Sequence, residues 1–407
     1  MNKATRRPEI NKIELVRPAT NAGRFLLCDW LACGNSGAIL ACPFSIPPLQ
    51  QAARFNRTMT FTAHDRNLSV FHHPVLTVLV DDSKSFIDSL AFQMDASRAV
   101  VNFTDPREAL AWIREAYATR HPAFLPVRVT HDDLTFLSER RTVQLDVDRI
   151  HRQIHDVHRF LQPGVIVVDY SMPQMDGLEF CQALEDLPCK TILLTGTADE
   201  SIAVQGFNHG LIDRYVKKHD PDMVARLNEE IDALQQQYFA SISRTLRDLL
   251  TRHSYSFLSD PVMAERVRQT AARYGFVEYY LYPNPVGMLL LTAQGHATLM
   301  VIETRAGLLN QVESAEAYEA PAALIEGLRE GRIVPFFWPG NGMYTPACVD
   351  WEQYCLPAER CEGREEYFYA LFDLPRHLLQ EPIVSLQSFL SEFSRNGQTM
   401  TGRNKLA

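Results

Sequence analysis

The stretch Gly164-Val165-Ile166-Val167-Val168-Asp169-Tyr170-Ser171-Met172-Pro173-Gln174-Met175-Asp176-Gly177 decides the fold. An apolar run that stops at an aspartate and enters a Pro/Gly-punctuated turn reads as a buried parallel strand delivering one carboxylate to a loop. Three further runs share this form. Val75 to Val80 leads into Asp81 and Asp82, Thr191 to Leu194 into Thr195, Gly196 and Thr197, and Arg214 to Val216 into Lys217 and Lys218. In an open parallel sheet such strand ends meet at one edge, just outside which ligands bind. That edge would carry three carboxylates, a hydroxyl and an ammonium.

The motifs V-L-V-D-D-S, V-V-D-Y-S-M-P-Q-M-D-G, L-L-T-G-T and Y-V-K-K, in this order and spacing, resemble the receiver domain of two-component response regulators from about residue 74 to 220. The resemblance implies a flavodoxin-like, doubly wound α/β sheet. It also implies that Asp169 accepts a phosphoryl group from a histidine kinase or phosphotransfer protein. Building charge on phosphoryl oxygens calls for positioning and electrostatic stabilisation. Magnesium, which takes hard oxygen ligands, is the natural clamp. Asp81, Asp82 and Asp169 suit it, with the Ser171 carbonyl as a further ligand. Lys218 would pair with the phosphoryl oxygens and Thr195 would hydrogen-bond one of them, with Tyr215 as the aromatic follower. His219 breaks the family pattern Y-x-x-Lys-Pro, so Lys217 and Lys218 compete, and Lys218 is preferred because it stands three residues after Tyr215. Apart from its own phosphorylation and dephosphorylation, no enzyme activity is implied. Each motif also has a plain reading: Asp-Asp-Ser as a helix cap, Met172-Pro173 and Asp176-Gly177 as turns.

Within the receiver span, a helix is expected over Ser83–Met94 with Phe86, Ile87, Leu90 and Ala91 on one face, then a strand near Ala99–Phe103 and a helix after Thr104-Asp105-Pro106. The plan departs from the family at 119–162, where about forty additional residues intervene. Apolar residues there, from Leu134 to Phe160, suggest helical spacing. Arg149–Leu161 reads as the best helix, with His151, His155 and His158 on one face. No carboxylate or cysteine set completes a metal site with them, so a solvated face is the simpler reading.

Residues 221–252 read as a helical connector. Leu227, Ile231, Leu234, Tyr238, Ile242, Leu246 and Leu249 approximate a coiled-coil seam that would support a homodimer, or else one amphipathic helix packed on its own chain. Residues 254–395 read as an α+β output domain. Its strands are expected at Val277–Tyr282, Gly287–Thr292, Ala297–Glu303, Ile333–Trp338 and Glu366–Phe372, its helices at Ala320–Arg329 and around Ile383–Phe393. This region weakly resembles regulators linked to bacterial cell-density signalling. No helix-turn-helix, cyclase, phosphodiesterase or kinase motif stands in it. Glu303-Thr304-Arg305 is similar to a nuclease Glu-x-Lys element with arginine in place of lysine and no upstream aspartate. Cys348, Cys355 and Cys361, with six and then five residues between them, are too loosely spaced for a usual zinc pair. The output is expected to be dimerisation or another protein interaction. A phosphorylation-gated enzyme or a nucleic-acid-binding output is the alternative.

The 407 residues suffice for two domains, and the net charge of −9 gives no encouragement for DNA. Eight cysteines without a C-x-x-C pair indicate neither a disulfide framework nor a zinc ribbon, which suits a reducing cytoplasm. Residues 1–70 sustain no period and read as a disordered leader; Met59 is an alternative start. The apolar stretch Phe25–Phe44 is broken by Asp29, Gly34, Asn35 and Gly37, so no membrane span is expected. Residues 396–407 read as a tail.

Overall fold

The computed structural model describes residues 13–15, 67–120, 127–131, 141–196, 200–252, 254–379 and 381–397. The leader expected over 1–70 therefore lies outside the described residues except at 13–15 and 67–70. So do the Met59 start and most of the 396–407 tail. The described residues form two compact units, of which residues 13–15, 127–131 and 141–146 are the smaller. There Ile13–Leu15 pairs in parallel with Arg141–Leu145, which pairs antiparallel with Val127–His131. This part of the insertion thus contains strands where helical spacing was expected.

The larger unit holds two sheets. In the first, strands β1 (Leu76–Val80), β2 (Val100–Phe103), β3 (Pro163–Asp169), β4 (Lys190–Thr195) and β5 (Arg214–Lys217) are parallel and ordered β2-β1-β3-β4-β5. All seven residues of β3 are buried, because helices cover both faces of the sheet. On one face lie α1 (Lys84–Gln93) and α5 (Met223–Ile242). On the other lie α2 (Pro106–Arg120) and α3 (Gly177–Gln182), and α4 (Glu200–Asn208) precedes β5. This is the flavodoxin-like, doubly wound arrangement.

The second sheet is antiparallel. Strands β6 (Phe276–Pro283), β7 (Val286–Thr292), β8 (Ala297–Thr304), β9 (Glu359–Glu362) and β10 (Glu366–Asp373) run in the order β9-β10-β8-β7-β6. The short strand Phe71–His72, from just ahead of the first sheet, pairs with β6 at the far edge. Leu68, Ser69 and Val70 are buried. The boundary expected at residue 70 is thus corrected, since these residues belong to the fold.

Helices α7 (Pro261–Tyr274), α8 (Arg305–Ala317), α9 (Ala322–Arg329) and α10 (Leu386–Gly397) complete this part. The sequence reading omitted α7 and α8, although their ends are marked. Asp260 caps α7 with Pro261 in the first turn and Gly275 closes it at φ +70°, while Thr304 caps α8.

The insertion's second half is corrected, and the connector follows the second of its two readings. Arg149–Leu161 is not one helix. It is a four-residue turn of helix at Asp148–His151, then 3-10 turns at Arg152–His155 and Val157–Leu161. Asp156 stands between them with extended backbone and accepts a hydrogen bond from the His158 N–H, a local bond that competes with helix continuation. The three histidines therefore share no helical face. The His151 ring lies 4.7 Å from that of Tyr282, the His155 Nδ1 is 3.1 Å from the Pro382 carbonyl, and His158 is exposed. In the connector, α5 stops at Ile242 and α6 (Arg244–Leu250) starts anew. Leu227, Ile231 and Leu234 are fully buried against Leu79, Ile192, Leu194 and Val216 of the first sheet. The first three positions of the stripe thus belong to this chain's own core, while Ile242 and Leu249 are half-buried.

Candidate functional site at the carboxyl edge of the parallel sheet

Register brings the site together. Val80 pairs with Val168, Asp169 with Leu194 and Thr195 with Lys217, so Asp81, Asp169, Thr195 and Lys218 reach the same edge. The Lys218 Nζ lies 2.8 Å from Asp81 Oδ2 and 2.8 Å from Asp169 Oδ1. Lys218 thus stands between the two carboxylates at this edge.

Burial raises the Asp81 carboxyl pKa, and hydrogen bonds from Lys218 and from the Ser83 N–H only partly offset this. Burial works against the Lys218 charge, but the hydrogen bonds to Asp169 and Asp81 outweigh it and its pKa is raised. Asp81 and Asp169 are buried and Asp82 is exposed. Ligand oxygens of the three lie within 4.8 Å of one another. Receiver domains bind magnesium, and this set of hard, negatively charged oxygens fits such an ion. Ser171 is exposed in the loop two residues beyond Asp169.

Two local features shape the edge. Gly177 opens α3 directly behind Asp169: a Cβ there would stand 2.5 Å from the Asp169 carbonyl oxygen, so only glycine permits this approach. Asp176 caps α3 in a reciprocal capping box with Glu179. The Thr195 hydroxyl is fully buried with no hydrogen-bond partner among the described residues.

The family described as "Response regulator receiver domain" matches residues 135–228. The solved structure of the Legionella pneumophila response regulator LqsR is similar at 31% identity, with a TM-score of 0.67 over 82% of this chain and 98% of that one. The chain belongs to the two-component response regulators. This response regulator carries a receiver domain and works in a phosphorelay, where such a domain meets histidine kinase or phosphotransfer partners. The C4-dicarboxylate transport transcriptional regulatory protein DctD of Pseudomonas aeruginosa is 37% identical over 94 residues. That match spans 22% of this response regulator and 20% of DctD.

Of the other sequence-level candidates, Glu303 and Arg305 have different partners. Glu303 is buried, its pKa pushed up to about 7 by desolvation, against the first turn of α8, where a Cβ on Gly307 would lie 2.1 Å from its Oε2. Arg305 instead donates to Glu366 at 2.8 Å and lies over the Phe368 ring. Cys348 and Cys361 are buried and Cys355 is half-buried.

Three residues of consequence were not singled out from the sequence. Phe86 was placed only on the apolar face of a helix, yet its ring packs over Lys218. Arg159 and Glu278 form a fully buried ion pair. Glu278 interrupts the apolar run Val277-Glu278-Tyr279-Tyr280, and a charge inside such a run signals a buried partner, whereas Arg159, between His158 and Phe160, carries no such signal.

Proposed function

We propose that Asp169 is the phosphoacceptor of this regulator. A carboxylate oxygen of Asp169 would attack the donor phosphorus, forming an O–P bond as the bond to the donor's nitrogen or oxygen breaks. The single observation that carries the reading is the Lys218 ammonium held 2.8 Å from both Asp169 and Asp81. It stands where the transferred oxygens would arrive, as a charge able to follow them. The orphaned Thr195 hydroxyl is suited to donate to one of those oxygens. Asp81, Asp82 and Asp169, with the Ser171 carbonyl, would hold magnesium, which when bound offsets the negative charge of the phosphoryl group.

The output is read as protein association in the cytoplasm, with a second copy of the chain as the partner. Helix α4, five residues beyond Thr195, exposes the apolar side chains of Val204 and Phe207. A change in hydrogen bonding at Thr195 would bias how that helix is presented.

Magnesium-dependent phosphorylation by a small acyl-phosphate donor, read by intact mass, tests the assignment. The parent is expected to gain one phosphoryl mass and Asp169→Asn none. Light scattering on the same samples is expected to show a larger particle for the phosphorylated parent alone. A phosphoryl gain in Asp169→Asn equal to the parent's would overturn the acceptor assignment.

A further inference from the structure

Lys218 has a third contact besides its two carboxylates. Its Nζ lies 4.6 Å from the centroid of the Phe86 ring, in range of a cation–π interaction. An ammonium has three donors, and here two are directed to Asp81 and Asp169 while an aromatic face stands beside the charge.

The ring itself is held from two sides. Phe86 lies in the first turn of α1, where its N–H donates to the Ser83 Oγ at 3.4 Å, and the Ser83 N–H in turn donates to Asp81 Oδ1 at 2.8 Å. Behind it, the side chain packs on the core formed by Leu79, Ile87, Val216 and their neighbours. A closed circuit results: Asp81 fixes the cap, the cap fixes the ring, and the ring borders the ammonium that returns to Asp81. Lys218 is only 20% exposed, so the ring replaces water that would otherwise solvate the charge.

We propose that Phe86 is a positioning residue for phosphoryl transfer, holding the Lys218 ammonium against Asp169 and keeping water from that side of the site. The inference rests on the reading of Asp169 as the phosphoacceptor. Phe86 acts through Lys218. Loss of the aromatic face leaves the lysine free to sample solvent, which slows formation of the aspartyl phosphate. It also admits water to the bond once formed.

The test uses the full chain as parent, Phe86→Leu and Phe86→Tyr, with magnesium and a small acyl-phosphate donor, followed by intact mass over time. Leucine keeps an apolar helix former without a π face; tyrosine keeps the face. Phe86→Leu is expected to be phosphorylated about 2- to 30-fold more slowly, the range a cation–π contact supports. Phe86→Tyr, which restores the aromatic face, should match the parent rate. Equal rates in parent and Phe86→Leu would overturn the proposal while leaving the acceptor assignment intact, and so would equal slowing in both variants. A parent that takes no phosphate would overturn both readings together.

Discussion

Glu303 is a buried carboxyl. Burial moves it from 4.5 to about 7, and the Gln311 side chain only partly compensates. A carboxyl whose folded pKa is raised binds its proton more tightly in the native than in the unfolded chain. The contribution of Glu303 to stability is therefore fully present below pH 4.5 and is lost as pH rises through about 7. The cost at pH 8 is about 3 kcal/mol. Glu303→Gln is expected to be more stable than the parent at pH 8 by up to that amount and no more stable at pH 4, measured by denaturant unfolding at both values. Asp81 shifts in the same direction, but Lys218 is there to neutralise it. At this scale the acidic trio, Thr195 and Lys218 could be named from strand-end positions, since each follows an apolar run by one or two residues. Glu303 could be named but not placed, because only packing against Gly307 shows its carboxylate to be enclosed.

Helix α5 shows how one apolar spacing serves two structures. Three- and four-residue steps describe a stripe, and a stripe can face a partner helix or a sheet with equal ease. The sheet takes it here: Leu234 is fully buried against the chain's own strands. Leu234→Ala is accordingly expected to lower unfolding stability by about 2–5 kcal/mol, in calorimetry or denaturant titration. The association state in dilute solution should stay unchanged, whereas a coiled-coil seam would show a shift toward monomer. Strands β1 to β8 were readable in outline because an apolar run bounded by turn residues has few alternatives. Arg149–Leu161 was misread because Asp156, compatible with a helix in composition, spends its side chain on the His158 amide.

The larger unit is held together by more than its two sheets. The Arg159 guanidinium makes a two-pronged contact with Glu278 on β6, at 2.9 and 3.1 Å, and donates to the carbonyls of Ile154, Asp156 and Val384. The Tyr280 hydroxyl donates to Glu278 as well. One residue thus ties the end of the insertion, the antiparallel sheet and the approach to α10. Around it Phe160 stacks on Phe389 of α10, and Leu386, Phe389 and Leu390 share a core cluster with Ile113, Ile166 and Leu193 of the receiver. Removing one partner would strand a buried charge, so Arg159→Ala is expected to cost about 3–5 kcal/mol. With a shared core, the parent should unfold in one calorimetric transition across both sheets; two separated transitions would contradict this coupling. None of the described helices is long and apolar enough to cross a membrane.

By itself the sequence determined the parallel sheet, the order of its strands along the chain and the residues at its carboxyl edge. These follow from local patterns, apolar runs ending in polar residues, which carry their meaning within about ten residues. Tertiary structure alone decided what lies far apart in the chain yet together in space. It set the Lys218 ammonium between Asp81 and Asp169, placed Phe86 beside it, buried the first half of the α5 stripe in the chain's own core, and joined Phe71–His72 to the antiparallel sheet. It also paired Arg159 with Glu278 across 119 positions. Burial and pairing depend on which surfaces meet, and a periodic pattern states that a face is apolar without stating what covers it.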